Sequence, residues 1–116
     1  MSDNVVVRLL IVDDDDALRH ALRNAITSLI GWTVVTATDP VDAQQHYASV
    51  DVVMSDWNMP LGGGARVIEE ARCPVLIYSA EQVEHIYRLR KPAALPAIHA
   101  ALVYTMNSKN KKQAEG

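Results

Sequence analysis

Cysteine is almost missing from this chain. Cys73 is the only one in 116 residues, so no internal disulfide can form and a CxxC metal site is excluded. Such sparing use fits a reducing compartment. Positive charge is also in short supply: eleven Lys and Arg stand against fourteen Asp and Glu, a formal charge of −3. That balance gives no general attraction to nucleic acid, and direct DNA or RNA binding is not expected. No apolar stretch approaches the length of a membrane span. The opening MSDNVVVRLLIVDDDD lacks a basic start, a long apolar centre and a small-residue cleavage site, so it does not read as a signal peptide. Internal repeats and interdomain linkers are missing as well.

What remains is the balance of an ordinary globular domain, 49% hydrophobic and 22% charged, enough for one core. The expectation is a single soluble, cytoplasmic domain over 1–116, with a core at about 7–106 and a flexible polar tail at 107–116.

Val5 to Val12 is a nearly continuous β-branched and leucine run, the pattern of a strand covered on both faces. Asp16 can cap a helix starting at Ala17, with Leu18, Leu22, Ala25, Ile26 and Leu29 along its inner stripe and Gly31 as its stop. Trp32 to Ala37 reads as a second strand. Asp39 then caps a second helix, with Pro40 first and Asp42 in the first turn. Val50 to Ser55 is a third strand, followed by the loop DWNMPLGGG and a short helix from Ala65 to Ala71. Pro74 opens a fourth strand, VLIYS, and a last helix spans about Leu95 to Met106.

Strands alternating with helices predict an α/β domain with a parallel sheet and right-handed crossovers. In such sheets chemistry gathers at the carboxyl ends of the strands, where strand order reverses. Asp13 and Asp14 follow the first strand, Asp56 the third, Ser79 ends the fourth, and Lys91 follows a candidate fifth. Carboxylates gathered within a few ångströms repel one another unless a cation sits among them. Mg²⁺ prefers oxygen ligands and often takes one or two carboxylates plus a substrate phosphate. A carboxylate so screened can attack phosphorus. Asp56 thus reads as the nucleophile, Asp13 and Asp14 as the metal-holding pair, and Lys91 and Ser79 as partners of the phosphoryl oxygens.

The segments LLIVDDDDALR, VVMSDWNMP, VLIYSA and RKP, in that order and each at a strand end, resemble the receiver domain of bacterial two-component response regulators. SDWNMP looks especially similar to chemotaxis-type regulators. The resemblance implies a flavodoxin-like, doubly wound parallel sheet of five strands in the order 2-1-3-4-5. It also implies that Asp56 is the phosphoacceptor. Asp14 would ligate Mg²⁺ directly, Asp13 would act largely through water, and the main-chain carbonyl of Asn58 would be a further ligand. Ser79 stands at a Thr/Ser position of the family, and Lys91 at that of its lysine, whose bond to the next proline is often cis. Asn58 and Glu81 occupy the positions that tune phosphoaspartate lifetime. The donor would be a histidine kinase or a histidine phosphotransfer protein, and the receiver would catalyse its own transfer rather than act as an enzyme on another substrate.

Three features depart from the family pattern. Only Ala80 to Arg90 separates Ser79 from Lys91, too little for a full fourth helix and a fifth strand together. Either the fourth helix shrinks to about a turn, which the sequence favours because Lys91 must still reach Asp56, or EQVEHIYRLR is one helix and the fifth strand is lost. Gly62 to Gly64 stand where one or two glycines are usual, before a short third helix. The switch aromatic, normally three residues before the lysine, is replaced there by Arg88, with Tyr87 displaced one place earlier.

Other candidates have plainer readings. His20, His46, His85 and His99 show no ligand spacing, Cys73 is a small residue before a buried strand, and Trp57 lies half exposed beside the site. Two functions follow. The first is a phosphoacceptor that signals to a downstream protein, as a stand-alone regulator or a receiver within a longer protein. The second is a pseudo-receiver, the same fold serving as a constitutive binding or dimerisation module. A homodimer would follow from apolar surface uncovered by the missing helix. A metal-dependent phosphohydrolase is disfavoured because Asn58, not an acid, stands two residues after Asp56.

Overall fold

A computed structural model describes residues 6–115, with side chains through Ser108. Val5, where the sequence reading begins its first strand, and Gly116 lie outside the described residues. Five parallel strands form one sheet: β1 Arg8–Val12, β2 Thr33–Ala37, β3 Val52–Ser55, β4 Val75–Ser79 and β5 Arg88–Arg90. Their order is β2-β1-β3-β4-β5, as the resemblance implied. Four helices connect and flank them: α1 Asp16–Ala25, α2 Pro40–Ala43, α3 Gly63–Glu70 and α4 Leu95–Glu115.

The three central strands, β1, β3 and β4, are buried on both faces because they are apolar at consecutive positions. Leu10, Val12, Val53, Val75 and Ile77 pack with Ala43, Tyr47 and Val67 beneath α2 and α3. Leu9, Ile11, Val52, Met54, Leu76 and Tyr78 pack on the opposite face with Ile26 of the α1 end and Ile98 and Leu102 of α4. Among the described residues no helix is long and apolar enough to cross a membrane.

Several local expectations need correction. Asp15, not Asp16, caps α1 by accepting the Leu18 N–H at 3.0 Å. Asp16 instead pairs with Arg19 at 2.6 Å. The end of α1 widens into a π-turn over Ile26–Ile30 before Gly31 closes it in the left-handed conformation (φ 86°). That wider turn breaks the 3.6-residue phase, so Leu29, expected inward, is 75% exposed while Ile30 joins the core. Strand β3 begins at Val52, two residues late, because Asp51 accepts the Arg8 N–H with its side chain. Helix α3 begins at Gly63, two residues early, and α4 runs on past Met106. Asp39 caps α2 as read, accepting the Asp42 N–H at 2.8 Å.

The question of the fourth crossover is settled by the strand. Arg88–Arg90 pairs with β4 in parallel register, Ile77 opposite Arg88 and Ser79 opposite Arg90. Among the described residues no helix lies between β4 and β5. The segment 80–87 is a strap held at three points: Val83 enters the core, the His85 ring bonds the Val75 carbonyl at 2.9 Å, and Arg90 Nε donates to the Ala80 carbonyl at 2.9 Å.

Candidate functional site

Because the strands run parallel, their carboxyl ends share one edge, and the residues that follow them meet there. Asp13, Asp14 and Asp56 each offer a carboxylate oxygen within 4.8 Å of the others. Two unit charges at that separation repel by roughly 3 kcal/mol at an effective dielectric near 20. Lys91 offsets part of this: its Nζ lies 2.7 Å from Asp13 Oδ2 and 3.4 Å from Asp56 Oδ2. One ammonium against three carboxylates leaves the cluster negative.

The three acids differ in setting. Asp13 is 3% exposed. Burial pushes its carboxyl above the usual range, more strongly than Lys91 and the Asp15 N–H pull it down. Asp14 is open to solvent and Asp56 half-buried. Burial works against the Lys91 charge, but the Asp13 and Asp56 carboxylates outweigh it and raise its pKa, so the lysine stays charged. The donor set is all oxygen, three carboxylates facing one volume, which fits a small hard divalent cation such as Mg²⁺ and offers no nitrogen or sulfur for a softer metal.

Local structure fixes each of these groups. Asp13 Oδ1 accepts the Asp15 N–H at 2.9 Å, which locks the corner between β1 and α1. Asp56 Oδ1 accepts the Trp57 N–H at 2.7 Å. Lys91 is placed by its own N–H bonding the Ser79 carbonyl at 2.9 Å, and its bond to Pro92 is cis. Ser79, buried at the end of β4, turns its Oγ to the Glu81 N–H at 3.2 Å. Asn58 Nδ2 donates to the Glu81 carboxylate, so the two positions read as lifetime-tuning are in contact. Tyr87 is not among this group: it packs on the α4 face, its ring 6.0 Å from His85 and 6.4 Å from Tyr104.

Two contributors escaped the sequence reading. Arg19 is buried and its guanidinium donates to the Asp13 carbonyl at 2.8 Å, supporting the acid corner from behind. Its place three residues after Asp16 was the signal available. Tyr78 lies beneath Lys91, the ring centroid 5.6 Å from Nζ, and its hydroxyl accepts the Ala93 N–H at 3.0 Å. The glycine run has a steric basis. A Cβ on Gly64 would stand 2.7 Å from the Asp56 carbonyl oxygen, and one on Gly63 2.4 Å from that of Trp57. Helix α3 therefore packs directly on the backbone that presents Asp56.

Residues 9–94 match the family model described as the response regulator receiver domain. The chain is similar to response regulator MprA of Mycobacterium ulcerans, 38% identical over 81 residues, covering 64% of this chain and 34% of that protein. It is also similar to the sensor histidine kinase RcsC of Escherichia coli, 38% identical over 74 residues, covering 62% of this chain and 8% of that protein. The chain thus spans about a third of the first relative and a small part of the second. Among solved structures, the chemotaxis protein CheY4 of Vibrio cholerae superposes with a TM-score of 0.74 at 22% identity, covering 87% of this chain and 99% of that one, a likeness of fold.

Proposed function

Since the chain belongs to the response regulator receiver domain family, we propose that it is a phosphoacceptor of a bacterial two-component system, taking a phosphoryl group onto Asp56 with Mg²⁺. The observation that carries the reading is the meeting of Asp13, Asp14 and Asp56 at one strand edge with Lys91 between two of them.

In this reading Asp13, Asp14, Asp56 and the Asn58 carbonyl hold the ion. A bound Mg²⁺ supplies the charge neutralisation that lets an anionic carboxylate approach an anionic phosphoryl group. An Asp56 oxygen forms the bond to phosphorus while the bond from phosphorus to the donor's imidazole nitrogen breaks. The Trp57 N–H, which holds Oδ1, orients the carboxylate for that attack. Lys91 and Ser79 then move onto phosphoryl oxygens, the first leaving Asp13 and the second the Glu81 N–H. Asn58 and Glu81 stand over the acyl phosphate and set how readily water reaches it.

The donor is a histidine kinase or histidine phosphotransfer protein of the cytoplasm, and the output is changed affinity for a downstream protein. The transfer is self-catalysed, so the domain, with its core at about 7–106, is a signalling module rather than an enzyme. Incubation with Mg²⁺ and acetyl phosphate should add about 80 Da to the intact mass, one phosphoryl group, in wild type but not in Asp56→Asn. No gain, or an equal gain in the variant, overturns the assignment.

The missing helix between β4 and β5 favours a second reading, a binding or dimerisation module insensitive to phosphate. Phosphoryl uptake without any change in oligomeric state or partner binding would support it.

A further inference from the structure

Strand β5 is the edge of the sheet. The Tyr87 carbonyl accepts the Ile77 N–H and the Lys91 N–H bonds the Ser79 carbonyl, so these alternate residues turn their backbone toward β4. In a parallel ladder Leu89, midway between them, faces β4 in the same way, and Arg88 and Arg90 direct both N–H and C=O to the open edge. Their side chains share the face of Ile77 and Ser79, the face covered elsewhere by α2 and α3. With no helix over β5, that face is a groove of about 320 Å³ whose floor includes Ile77 and Val83 and whose wall is Arg88 and Arg90.

Both arginines are exposed. Each guanidinium is held by one strap carbonyl, Arg88 by that of His85 and Arg90 by that of Ala80, and keeps its remaining N–H groups for another acceptor. Among the described residues neither pairs with a carboxylate. In a chain of net charge −3 this is a cationic strip two residues long, preorganised and beside an unpaired strand edge.

We propose that β5 takes an acidic, extended segment of a partner protein as a sixth strand. Backbone groups of Arg88 and Arg90 would pair with the segment, and two carboxylates spaced i and i+2 on it would meet the two guanidiniums. A second copy of this chain is the poorer occupant, because β5 against β5 sets arginine against arginine. Glu81 also lines the groove, but its carboxylate already accepts from Asn58.

The test is fluorescence anisotropy of a short labelled peptide of alternating aspartate and valine against the full unphosphorylated chain. Saturable binding is expected, weakened roughly tenfold or more by Arg88→Gln or Arg90→Gln, the scale of one hydrogen bond to a charged group. Arg72→Gln, an exposed arginine elsewhere, should leave it unchanged. Arg90→Lys should retain part of the affinity, and circular dichroism verifies that each variant is folded. Replacing aspartate by asparagine in the peptide, or N-methylating its alternate amides, should abolish binding. Equal binding of either modified peptide overturns the proposal, as does an equal loss with Arg72→Gln. Displacement of the peptide by millimolar inorganic phosphate alone would make the groove a small-anion site. A dimer, seen by sedimentation and lost in Arg88→Gln, would make a second copy the occupant. Neither result bears on phosphoryl uptake by Asp56, which is read separately by mass.

Discussion

Lys91 donates to Asp13 at 2.7 Å across 78 residues of chain, joining the ends of the first and last strands of the sequence. Asp13 is almost wholly buried and Lys91 largely so. Lys91→Met keeps the side-chain length and removes the charge, leaving three facing carboxylates without a cation. Breaking a buried pair costs 3–5 kcal/mol; this one is partly open to solvent, so the expected loss is ~2 kcal/mol without divalent ions. Urea denaturation reads it, and added Mg²⁺ should restore part of it. Unchanged stability would mean that the pair contributes nothing.

Asp14→Asn acts in the opposite direction. It removes one repelling charge from the cluster, so the metal-free protein should gain about 1 kcal/mol. The stabilisation that Mg²⁺ gives the wild type should disappear. Thermal melts of both proteins with and without Mg²⁺ check both halves. A variant that still gains from Mg²⁺ would remove Asp14 from the ligand set.

Gly64→Ala should cost roughly 1–3 kcal/mol, because its methyl meets the Asp56 carbonyl at 2.7 Å and neither backbone can yield freely. It should also slow phosphoryl uptake by shifting Asp56. Gly31→Ala makes the contrast: there the space is open and only the left-handed backbone resists, about 1 kcal/mol, with uptake unaffected.

Tyr47 supplies a pH test away from the site. Its hydroxyl is buried with no hydrogen-bond partner among the described residues. Burial, with Glu70 adding to it, pushes its pKa from 10.0 up to about 12. The unfolded chain then gives up this proton first. Stability is full below pH 10 and falls as the pH climbs toward about 12. Tyr47→Phe should flatten that part of the alkaline loss and change stability at pH 7 by no more than ~1 kcal/mol. An unaltered alkaline profile would contradict it.

The sheet and its acidic edge were legible in the sequence because both rest on local pattern. Continuous apolar runs mark strands buried on two faces, and Asp13, Asp14, Asp56 and Ser79 are placed simply by following those runs. What escaped depends on contacts between distant segments. Nothing in the strand VLIYS marks Tyr78 out until Lys91 is seen above its ring, and Gly64 reads as loop until α3 is seen against the Asp56 carbonyl. Leu29 was misplaced because a π-turn shifts the helical phase without any sequence signal of its own. For the link between β4 and β5 length left two readings, a helix of about a turn with the strand kept or one helix with the strand lost. The need for Lys91 to reach Asp56 favoured the strand, and the structure keeps the strand with no helix between β4 and β5 among the described residues. The anchors of that link, Val83 and His85, were not legible.

The central claim is that the Asp56 carboxylate itself carries the phosphoryl group, and chemical trapping tests it most directly. Protein phosphorylated with acetyl phosphate and Mg²⁺ is reduced with borohydride, which converts an aspartyl phosphate to homoserine, and then digested and sequenced by mass spectrometry. The account predicts homoserine at position 56 alone. Homoserine at Asp13 or Asp14 instead, or a phosphoryl group recovered on a histidine or on Ser79, would contradict it.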